Sequence, residues 1–349
     1  MSLDVVYSTL SAPAIAALVE QHYGLGAIAA CHLVKRGFND VYVLTTIDGT
    51  RWIARLADLR ARGPSNIAYE TAFIAHLKAC GLTVSAAVPG NDGALWREVA
   101  APEGARAFAV FEFLSGQIPV RTVNLVDHAE RALEDLKALG ASHARMHEAG
   151  LCYAGPPSLF RLEADHLLRA PLARLLGSPG LDPDVREGFA AIGQRLEREL
   201  TAVAPDLSIV ACHGDNHGGN TFMAEGPNGA RMPAWFDFDE AAPGYLAYDL
   251  AVLPWSMYRR VNGATLNATA LGLWAAFLDG YRSVRPIPTA DFEAIGLFVQ
   301  VRNIWLWGEF ASRVPEWGTE AALDPDWLAG QVKVMAAWEG LKTPTGEVK

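Results

Sequence analysis

The sequence predicts an α+β protein in two parts: a smaller N-terminal part built on an antiparallel sheet and a larger, mainly helical C-terminal part. Three observations predict this class: a length of 349 residues, short β-rich runs separated by turns near the N-terminus, and helical periodicity beyond residue 123. A chain of this length exceeds what one hydrophobic core usually supports, so two domains are expected. We predict an N-terminal domain over residues 1–114, a linker over 115–122 and a helical domain over 123–349.

The N-terminal part has the pattern of a β-meander with one inserted helix. IAACHLVKR, VYVLTTI and RWIARL are short β-rich runs, and Asp48-Gly49 between the last two is typical of a tight hairpin turn. NIAYETAFIAHLKAC predicts a helix from Asn66 to Cys80 that Gly81 ends. SAAVP and FAVFEFL supply two further strands, so we predict a five-stranded antiparallel sheet.

The C-terminal part has helical periods. From about Val123, apolar residues recur at steps of three and four through VNLVDHAERALEDLKALGASHARMHEAG. Asp182-Pro183 and Asp324-Pro325 each place an N-cap acid before a proline at the first helical position, so each pair predicts a helix start. Ser115-Gly116-Gln117, between the two patterns, is the predicted hinge.

Composition and charge disfavour several classes of partner. The formal net charge of -10 argues against nucleic acid, because duplex binding depends on Lys and Arg that neutralise phosphates. The four cysteines form no CxxC pair, which argues against a zinc ribbon or a disulfide framework. No apolar run approaches the roughly 20 residues that span a bilayer, and the N-terminus lacks the pattern of a signal peptide. We therefore expect a cytoplasmic protein with neither nucleic-acid nor membrane partners.

The densest cluster of functional residue types is CHGDNHGGN, residues 212–220, which contains three glycines and no apolar period. This composition predicts a loop, although Asp and Gly are also common in ordinary turns. About twenty residues later, AWFDFDE is a short apolar strand that ends in Asp237, Asp239 and Glu240. Phosphoryl transfer needs a carboxylate near the acceptor hydroxyl and oxygen ligands for Mg²⁺. These two segments supply both.

HGDNHGGN followed by FDFDEA resembles the catalytic loop and metal strand of the aminoglycoside phosphotransferase and choline kinase family, which read HGDxHxxN and DxxD/E. These enzymes are relatives of the protein kinases. The resemblance implies a protein-kinase-like two-lobed fold, ATP and Mg²⁺ as cofactors, and O-phosphorylation of a hydroxyl-bearing small molecule. It implies that Asp215 accepts or orients the hydroxyl proton and that Asn220 and Asp237 bind Mg²⁺. By the same resemblance Asp249 braces the loop and Asp239 is a supporting acid, and we interpret His213 as a structural residue that fixes the loop by packing and hydrogen bonding.

The N-terminal part resembles the same family in the order of its elements. Gly37 and Asn39 lie where the family has its nucleotide-covering loop, although one glycine replaces the GxGxxG of protein kinases. Arg55 matches the basic residue for the α- and β-phosphates, and Glu70 the acid that holds it. Solvated positions on a strand and a helix are the alternative for this pair. The hinge whose backbone binds the adenine edge corresponds to Glu112, Phe113 and Leu114.

Several alternatives stay open. FLDGYRSVRPI and RNIWLWGEF resemble helices of the homoserine-kinase-like and bacterial stress-response-kinase-like branches, and catalytic residues do not separate a small-molecule kinase from a protein kinase. A pseudokinase is a further alternative, because the glycine loop is reduced and Arg55 replaces lysine. His213, His217 and Asp237 are also residue types of a zinc or iron hydrolase, although Asn220 is an oxygen ligand suited to Mg²⁺.

The acceptor is open between an amino alcohol, a sugar, an aminoglycoside and a protein, and the nucleotide between ATP and GTP. The C-terminal region carries most of the acidic excess and most of the ten tryptophans, which are residue types that bind amines. This favours an amine-containing acceptor. The alternative is that the tryptophans of the apolar helices are core residues. Those tryptophans are Trp255, Trp274, Trp305 and Trp307.

Overall fold

A computed structural model describes residues 3–59, 65–119, 129–226 and 231–345 of the chain. The protein divides into two compact units, of which the first is Met1–Ser115 with Tyr153–Leu159 and the second is Gly116–Cys152 with Phe160–Lys349. The segment Tyr153–Leu159, which the sequence assigned to the helical domain, thus belongs to the first unit. Residues 120–122 of the predicted linker and 123–128 of the predicted helix lie outside the described residues.

The first unit is built on an antiparallel sheet of five strands in the order β1-β2-β3-β6-β5. The strands of this unit are β1 Ile28–Arg36, β2 Asn39–Thr46, β3 Arg51–Ala57, the two-residue β4 Thr83–Val84, β5 Arg97–Ala101 and β6 Gly104–Glu112. The predicted sheet size is confirmed, but the fifth strand is β5 and not SAAVP. That run makes two hydrogen bonds with the end of β6, from Val88 N to Val110 O at 2.8 Å and from Glu112 N to Ala86 O at 2.9 Å. Pro89, which has no N–H to donate, ends it there.

Two turns of the sheet differ in how well the sequence predicted them. The hairpin at Asp48-Gly49 is confirmed, with Gly49 at φ 87. The connection between β1 and β2 is shorter than predicted, because Asn39 and Asp40 already belong to β2. Asp40 is fully buried and accepts a hydrogen bond from Arg106 Nη2 at 3.1 Å. This buried ion pair fixes the strand directly after the turn.

Two helices, α1 Ala12–His22 and α2 Ile67–Ala79, belong to the first unit. The prediction of α2 is confirmed to within one residue at each end. Asn66, which precedes α2, holds the segment from the middle of the chain: Asn66 Nδ2 donates to Ser158 Oγ at 2.9 Å, and Leu159 N donates to Asn66 Oδ1 at 3.0 Å. This polar contact explains why residues 153–159 join the first unit.

The second unit is mainly helical, as predicted. Its helices are α3 Ala129–Gly150, α4 Ala170–Leu176 after a π-helical turn Asp165–Arg169, α5 Pro183–Val203, α6 Leu246–Val261, α7 Ala268–Arg282, α8 Thr289–Ala311, α9 Val314–Trp317, α10 Thr319–Ala322 and α11 Pro325–Ala337. Both predicted N-caps are confirmed, since Asp182 Oδ1 accepts from Asp184 N at 2.9 Å and Asp324 Oδ1 from Trp327 N at 2.8 Å. Within the described part of the chain, none of the helices has the length and apolarity that crossing a bilayer requires.

Helices α3 and α7 cross at two glycines. A Cβ atom at Gly140 would lie 1.9 Å from Phe277 O, and one at Gly280 would lie 1.9 Å from Lys137 O. Only glycine permits so close a backbone approach. The crossing sets the position of α3, which carries two histidines of the site described below.

Two strand pairs place the predicted motifs side by side. The strands are β7 Ile209–Cys212, β8 Thr221–Glu225, β9 Arg231–Trp235 and β10 Ala242–Tyr245. β7 pairs with β10 and β8 pairs with β9, both antiparallel. The HGDNHGGN loop therefore connects β7 to β8, and the FDFDEA segment connects β9 to β10. Each of these two segments connects one strand pair to the other, and the two segments lie against each other.

Candidate active site

The loop between β7 and β8 depends on a glycine at its second position. Gly214 has φ 83, and a Cβ atom there would lie 2.4 Å from Glu240 O of the neighbouring segment. Both the backbone conformation and the space require glycine. The tight packing turns the chain so that Asp215 follows at a fixed place.

Asp215 is held at both carboxylate oxygens. Asn220 Nδ2 donates to Asp215 Oδ2 at 3.1 Å and to the Asp215 carbonyl at 3.0 Å. Arg302 Nη2 forms an ion pair with Asp215 Oδ1. The Asp215 side chain is nonetheless 20% exposed, so a ligand can reach the carboxylate without disturbing these bonds.

Arg302 is the most important residue that the sequence analysis missed. It lies on α8 with 2% of its surface exposed, and its Nη1 donates to Tyr248 Oη at 2.7 Å and to Gly214 O at 3.2 Å. Burial by itself lowers the pKa of Arg302, but Tyr248 and Asp215 outweigh it and raise the pKa above its ordinary value. The guanidinium is therefore charged and ties the loop to α8. The available signal was a single arginine within the apolar run FVQVRNIWLW.

Asp249 on α6 accepts four hydrogen bonds from two other elements, the loop between β7 and β8 and helix α3. The backbone N–H groups of His213 and Gly214 donate to it at 3.0 and 2.7 Å, and the Nε2 atoms of His143 and His147 on α3 lie 2.7 and 2.9 Å from its Oδ2. Burial raises the pKa of Asp249, but these two histidines reverse the effect and hold its pKa well below the ordinary range. Asp249 is thus an ionised, fully buried brace of the loop.

The hydrogen bonds of the two histidines indicate which ring nitrogen donates. Because Asp249 is ionised it only accepts, so both Nε2 atoms donate to it. Each Nδ1 then accepts a hydrogen bond, from Asn216 Nδ2 at 3.3 Å for His143 and from Tyr281 Oη at 2.8 Å for His147. Direct contacts this short between ring nitrogen and carboxylate leave no room for an ion. We therefore interpret the cluster as a hydrogen-bonded brace and not as a metal site.

The brace predicts acid sensitivity. Burial lowers the pKa of His147 to about 4, against 6.5 in the unfolded chain. As the pH falls from about 6.5 to about 4, the unfolded state binds a proton that the folded state does not, so stability decreases by up to ~1.4 kcal/mol per pH unit. We expect urea unfolding to show this loss between pH 7.5 and pH 5. His147→Gln, which keeps a donor to Asp249 but does not titrate, should lose less over that interval; parallel losses in the two proteins would contradict the assignment.

His213 uses both ring nitrogens within the site. Its Nδ1 accepts from Asp215 N at 3.3 Å, and its Nε2 lies 3.2 Å from Phe236 O. Burial lowers the pKa of His213 and favours the neutral ring. With both nitrogens engaged, His213 has none for a metal ion, which weighs against the zinc or iron hydrolase alternative.

The strand pair β8 and β9 brings Asp237 to the loop. Thr221 pairs with Trp235, and beyond them Phe236 N donates to Asn220 O at 3.1 Å. Asp237 is the next residue and has φ 65, a left-handed conformation that costs about 1–3 kcal/mol for most residues but is tolerated best by Asp and Asn. Asp239 follows in the turn after it. Strained backbone at this place is typical of functional sites.

The donor set fits a hard divalent cation. Asn220 Nδ2 donates to Asp215, so the amide oxygen is the atom of this side chain that would bind a metal ion. An amide oxygen and the carboxylate of Asp237 are the ligand types that Mg²⁺ prefers, whereas both nitrogens of His213 are engaged. The sequence prediction of Asn220 and Asp237 as metal ligands therefore agrees in chemistry with this arrangement and remains a proposal.

The first unit contains Arg55 and Glu70, the pair that was predicted to bind the phosphates of the nucleotide. Arg55 on β3 forms an ion pair with Glu70 on α2, and only 7% and 1% of their side chains are exposed. The guanidinium also lies 4.9 Å from the centre of the Phe111 ring. The structure thus joins the two residues in a buried pair, and solvated positions are excluded.

Arg55 is expected to act mainly on nucleotide affinity. Arg55→Met should raise the KM for ATP by roughly tenfold or more, whereas Arg55→Lys should retain part of the affinity, because charge on the phosphates matters more than the planar fork. Glu70→Gln should give a weaker defect, and the double variant should be non-additive if the two side chains act as one unit. The check is steady-state kinetics in ATP on variants whose melting curves show folded protein. Additive effects would show that Arg55 and Glu70 act independently of each other.

The remaining residues predicted to contact the nucleotide lie in the hinge and at the turn between β1 and β2. Both backbone groups of Glu112 are occupied within the first unit, because its N–H donates to Ala86 O at 2.9 Å and Ser85 Oγ donates to its carbonyl at 2.6 Å. A carbonyl oxygen can accept a second hydrogen bond, so the adenine contacts remain proposed for the Glu112 carbonyl and for Phe113 and Leu114. Gly37 lies in the short turn between β1 and β2, and Asn39 is a buried residue at the start of β2.

The C-terminal tryptophans are core residues. Trp255, Trp274, Trp305 and Trp307 are 5%, 0%, 4% and 5% exposed. They do not form an open cage, so the argument from tryptophans to a cationic acceptor fails. Burial of large aromatic side chains in apolar helices is the physical reason.

A family model described as the phosphotransferase enzyme family matches residues 33–287, which cover both the Arg55–Glu70 pair and the catalytic loop. The chain belongs to this family. Membership confirms the predicted enzyme class, a kinase that transfers a phosphoryl group.

Similar proteins extend over most of this phosphotransferase. An uncharacterized protein of Deinococcus radiodurans is 36% identical over 338 residues, which are 97% of this chain and 93% of that protein. A homoserine kinase of Paramagnetospirillum magneticum is 28% identical over 284 residues, which are 80% of this chain and 79% of that enzyme. Both relatives span the two units.

Solved structures confirm the protein-kinase-like fold. A microcompartment-associated aminopropanol kinase matches with a TM-score of 0.72 and 21% identity, covering 96% of this chain and 100% of its own. The amicoumacin kinase hAmiN, in complex with AMP-PNP, Ca²⁺ and Ami, matches with a TM-score of 0.71 and 18% identity, covering 93% and 94%. At these identities the likeness shows the fold.

Proposed function

We propose that this phosphotransferase uses ATP and Mg²⁺ to phosphorylate the hydroxyl group of a small, amine-bearing molecule. The observation that carries the proposal is the arrangement of Asp215, whose two oxygens are fixed by Arg302 and Asn220 while part of the side chain stays accessible. A carboxylate so oriented is what alignment of an acceptor hydroxyl requires.

Each residue of the site has one role in this proposal. Asp215 accepts a hydrogen bond from the acceptor hydroxyl and orients its oxygen towards the γ-phosphate. Asn220 and Asp237 hold Mg²⁺, which supplies neutralisation of phosphate charge. In the first unit, Arg55 binds phosphate oxygens and Glu70 keeps its guanidinium in place.

The class of acceptor is supported by two of the similar proteins. These two kinases are named after homoserine and aminopropanol, which are small molecules with a hydroxyl and an amine. The complex of hAmiN with AMP-PNP and Ca²⁺ supports an adenine nucleotide and a divalent cation.

The test is transfer of the γ-phosphate of ATP or GTP to a panel of homoserine, aminopropanols, choline, neutral sugars, an aminoglycoside and generic proteins. We expect phosphorylation of a small amino alcohol with ATP. Transfer to protein alone would favour the stress-response type of kinase, and nucleotide binding without any transfer would favour a pseudokinase.

The metal role is tested by Asp237→Asn, which keeps a residue that tolerates the left-handed backbone and removes only the charge. We expect the Mg²⁺ concentration for half-maximal activity to rise by roughly tenfold or more, because the site loses a carboxylate ligand. The thermal shift caused by AMP-PNP with Mg²⁺ should shrink in parallel. Asp239→Asn is the matched control from the same segment, and an equal effect there would assign both acids to the metal.

A further inference from the structure

Three tryptophans of α6 and α8 are covered by arginines of the chain itself. Arg302 lies 3.9 Å from the centre of the Trp305 ring and 5.1 Å from that of Trp255. Arg259, in the last turn of α6, lies 5.1 Å from the centre of Trp255 and 5.7 Å from that of Trp307. The indole faces that were predicted to attract a cationic ligand thus already hold guanidinium groups.

The two arginines differ in their counter-charge. Arg302 is paired with Asp215, but Arg259 makes no hydrogen bond or ion pair with any described residue. Burial, and then the charge of Arg302, lower the pKa of Arg259, as expected for a half-buried cation that lacks an anion. Its guanidinium is oriented by two rings and keeps its N–H groups for another partner.

Arg259 lies near the catalytic carboxylate. Both guanidinium carbons are 5.1 Å from the centre of the same Trp255 ring, so they are at most about 10 Å apart. Arg302 in turn contacts Asp215. This upper limit is compatible with a short molecule that has its hydroxyl at Asp215 and its other end at Arg259.

We propose that Arg259 binds a carboxylate of the acceptor, so that the substrate is a small hydroxy amino acid and not a simple amino alcohol. Guanidinium binds carboxylate through two parallel N–H bonds, and an apolar, tryptophan-lined setting strengthens that pair. The bound carboxylate supplies the counter-charge that Arg259 lacks. This inference rests on the proposed function and gives its acceptor a second anchoring group.

The test uses acceptor pairs that differ only in the carboxylate: homoserine with 3-aminopropan-1-ol, serine with ethanolamine, and threonine with 1-aminopropan-2-ol. For the wild type we expect kcat/KM to favour the acid of at least one pair by about tenfold or more. Arg259→Met, which keeps an apolar chain between the rings, should lose that preference by lowering kcat/KM for the acid alone, and Arg259→Lys should keep part of it.

Arg260→Met is the matched control, since Arg260 occupies the same last turn of α6 without stacking on these rings. Its acid preference should equal that of the wild type. An equal loss in both variants, or a wild type that treats acid and amine alike in every pair, would overturn the inference. Calorimetric binding of each pair with AMP-PNP and Mg²⁺ separates the two proposals. Acid-selective, Arg259-dependent binding without transfer would refute only the kinase function, whereas transfer to amines without acid selectivity would refute only the carboxylate site.

Discussion

Asp215→Asn is expected to lower kcat by about 10²–10⁴-fold while MgATP binding changes little, because the amide keeps the shape of the side chain but no longer accepts the hydroxyl proton. The structure makes this variant suitable, since its Oδ1 can still accept a hydrogen bond from Arg302 or Asn220. The measurement is the turnover of the true acceptor together with the dissociation constant of AMP-PNP and Mg²⁺.

The control for Asp215 is Asp326→Asn, which neutralises an exposed acid in the first turn of α11 and should leave both constants unchanged. Melting curves must show that Asp215→Asn is folded, because Arg302 loses its counter-charge in this variant. Near-normal turnover of folded Asp215→Asn would remove Asp215 from the chemistry.

Asp249→Asn is expected to have the largest effect on stability, a loss of about 3–5 kcal/mol in the free energy of unfolding. Four donors converge on this carboxylate, and an amide replaces one of its acceptor oxygens by a group that itself donates. Two backbone N–H groups of the catalytic loop depend on it, so kcat should also decrease at temperatures where the variant is fully folded.

Asp291→Asn separates the two effects. Asp291 on α8 is also fully buried, and it accepts from Ser208 N at 3.0 Å and from Ser208 Oγ at 2.7 Å, neither of which belongs to the loop. We expect a loss of about 1–3 kcal/mol in urea unfolding with an unchanged kcat. If folded Asp249→Asn also kept its kcat, the hydrogen bonds to Asp249 would contribute to stability alone and not to catalysis.

The segments of the site were predictable because their chemistry is local. Asp215 and Asn220 are five residues apart in one glycine-rich loop, so a hydrogen bond between them requires only that loop. The N-caps Asp182 and Asp324 were predictable for the same reason. The prediction of SAAVP as a strand of the sheet was wrong because β-propensity does not reveal how far a strand continues. Pro89 ends the pairing of this run.

The sequence by itself determined the α+β class, the kinase-like order of elements, the loop with Asp215 and Asn220, and the pairing partners Arg55 and Glu70. Only the tertiary structure decided which distant groups complete the site. Arg302 is 87 residues from Asp215 and His143 is 106 residues from Asp249, and no pattern of nearby residues predicts such contacts. The same applies to the tryptophans, whose number in the C-terminal region favoured the prediction of an amine-containing acceptor. Packing between helices instead placed arginines on their faces and left Arg259 without an anion among the residues that the structure describes. The reason is that burial and neighbours, and not residue counts, set the environment of a side chain.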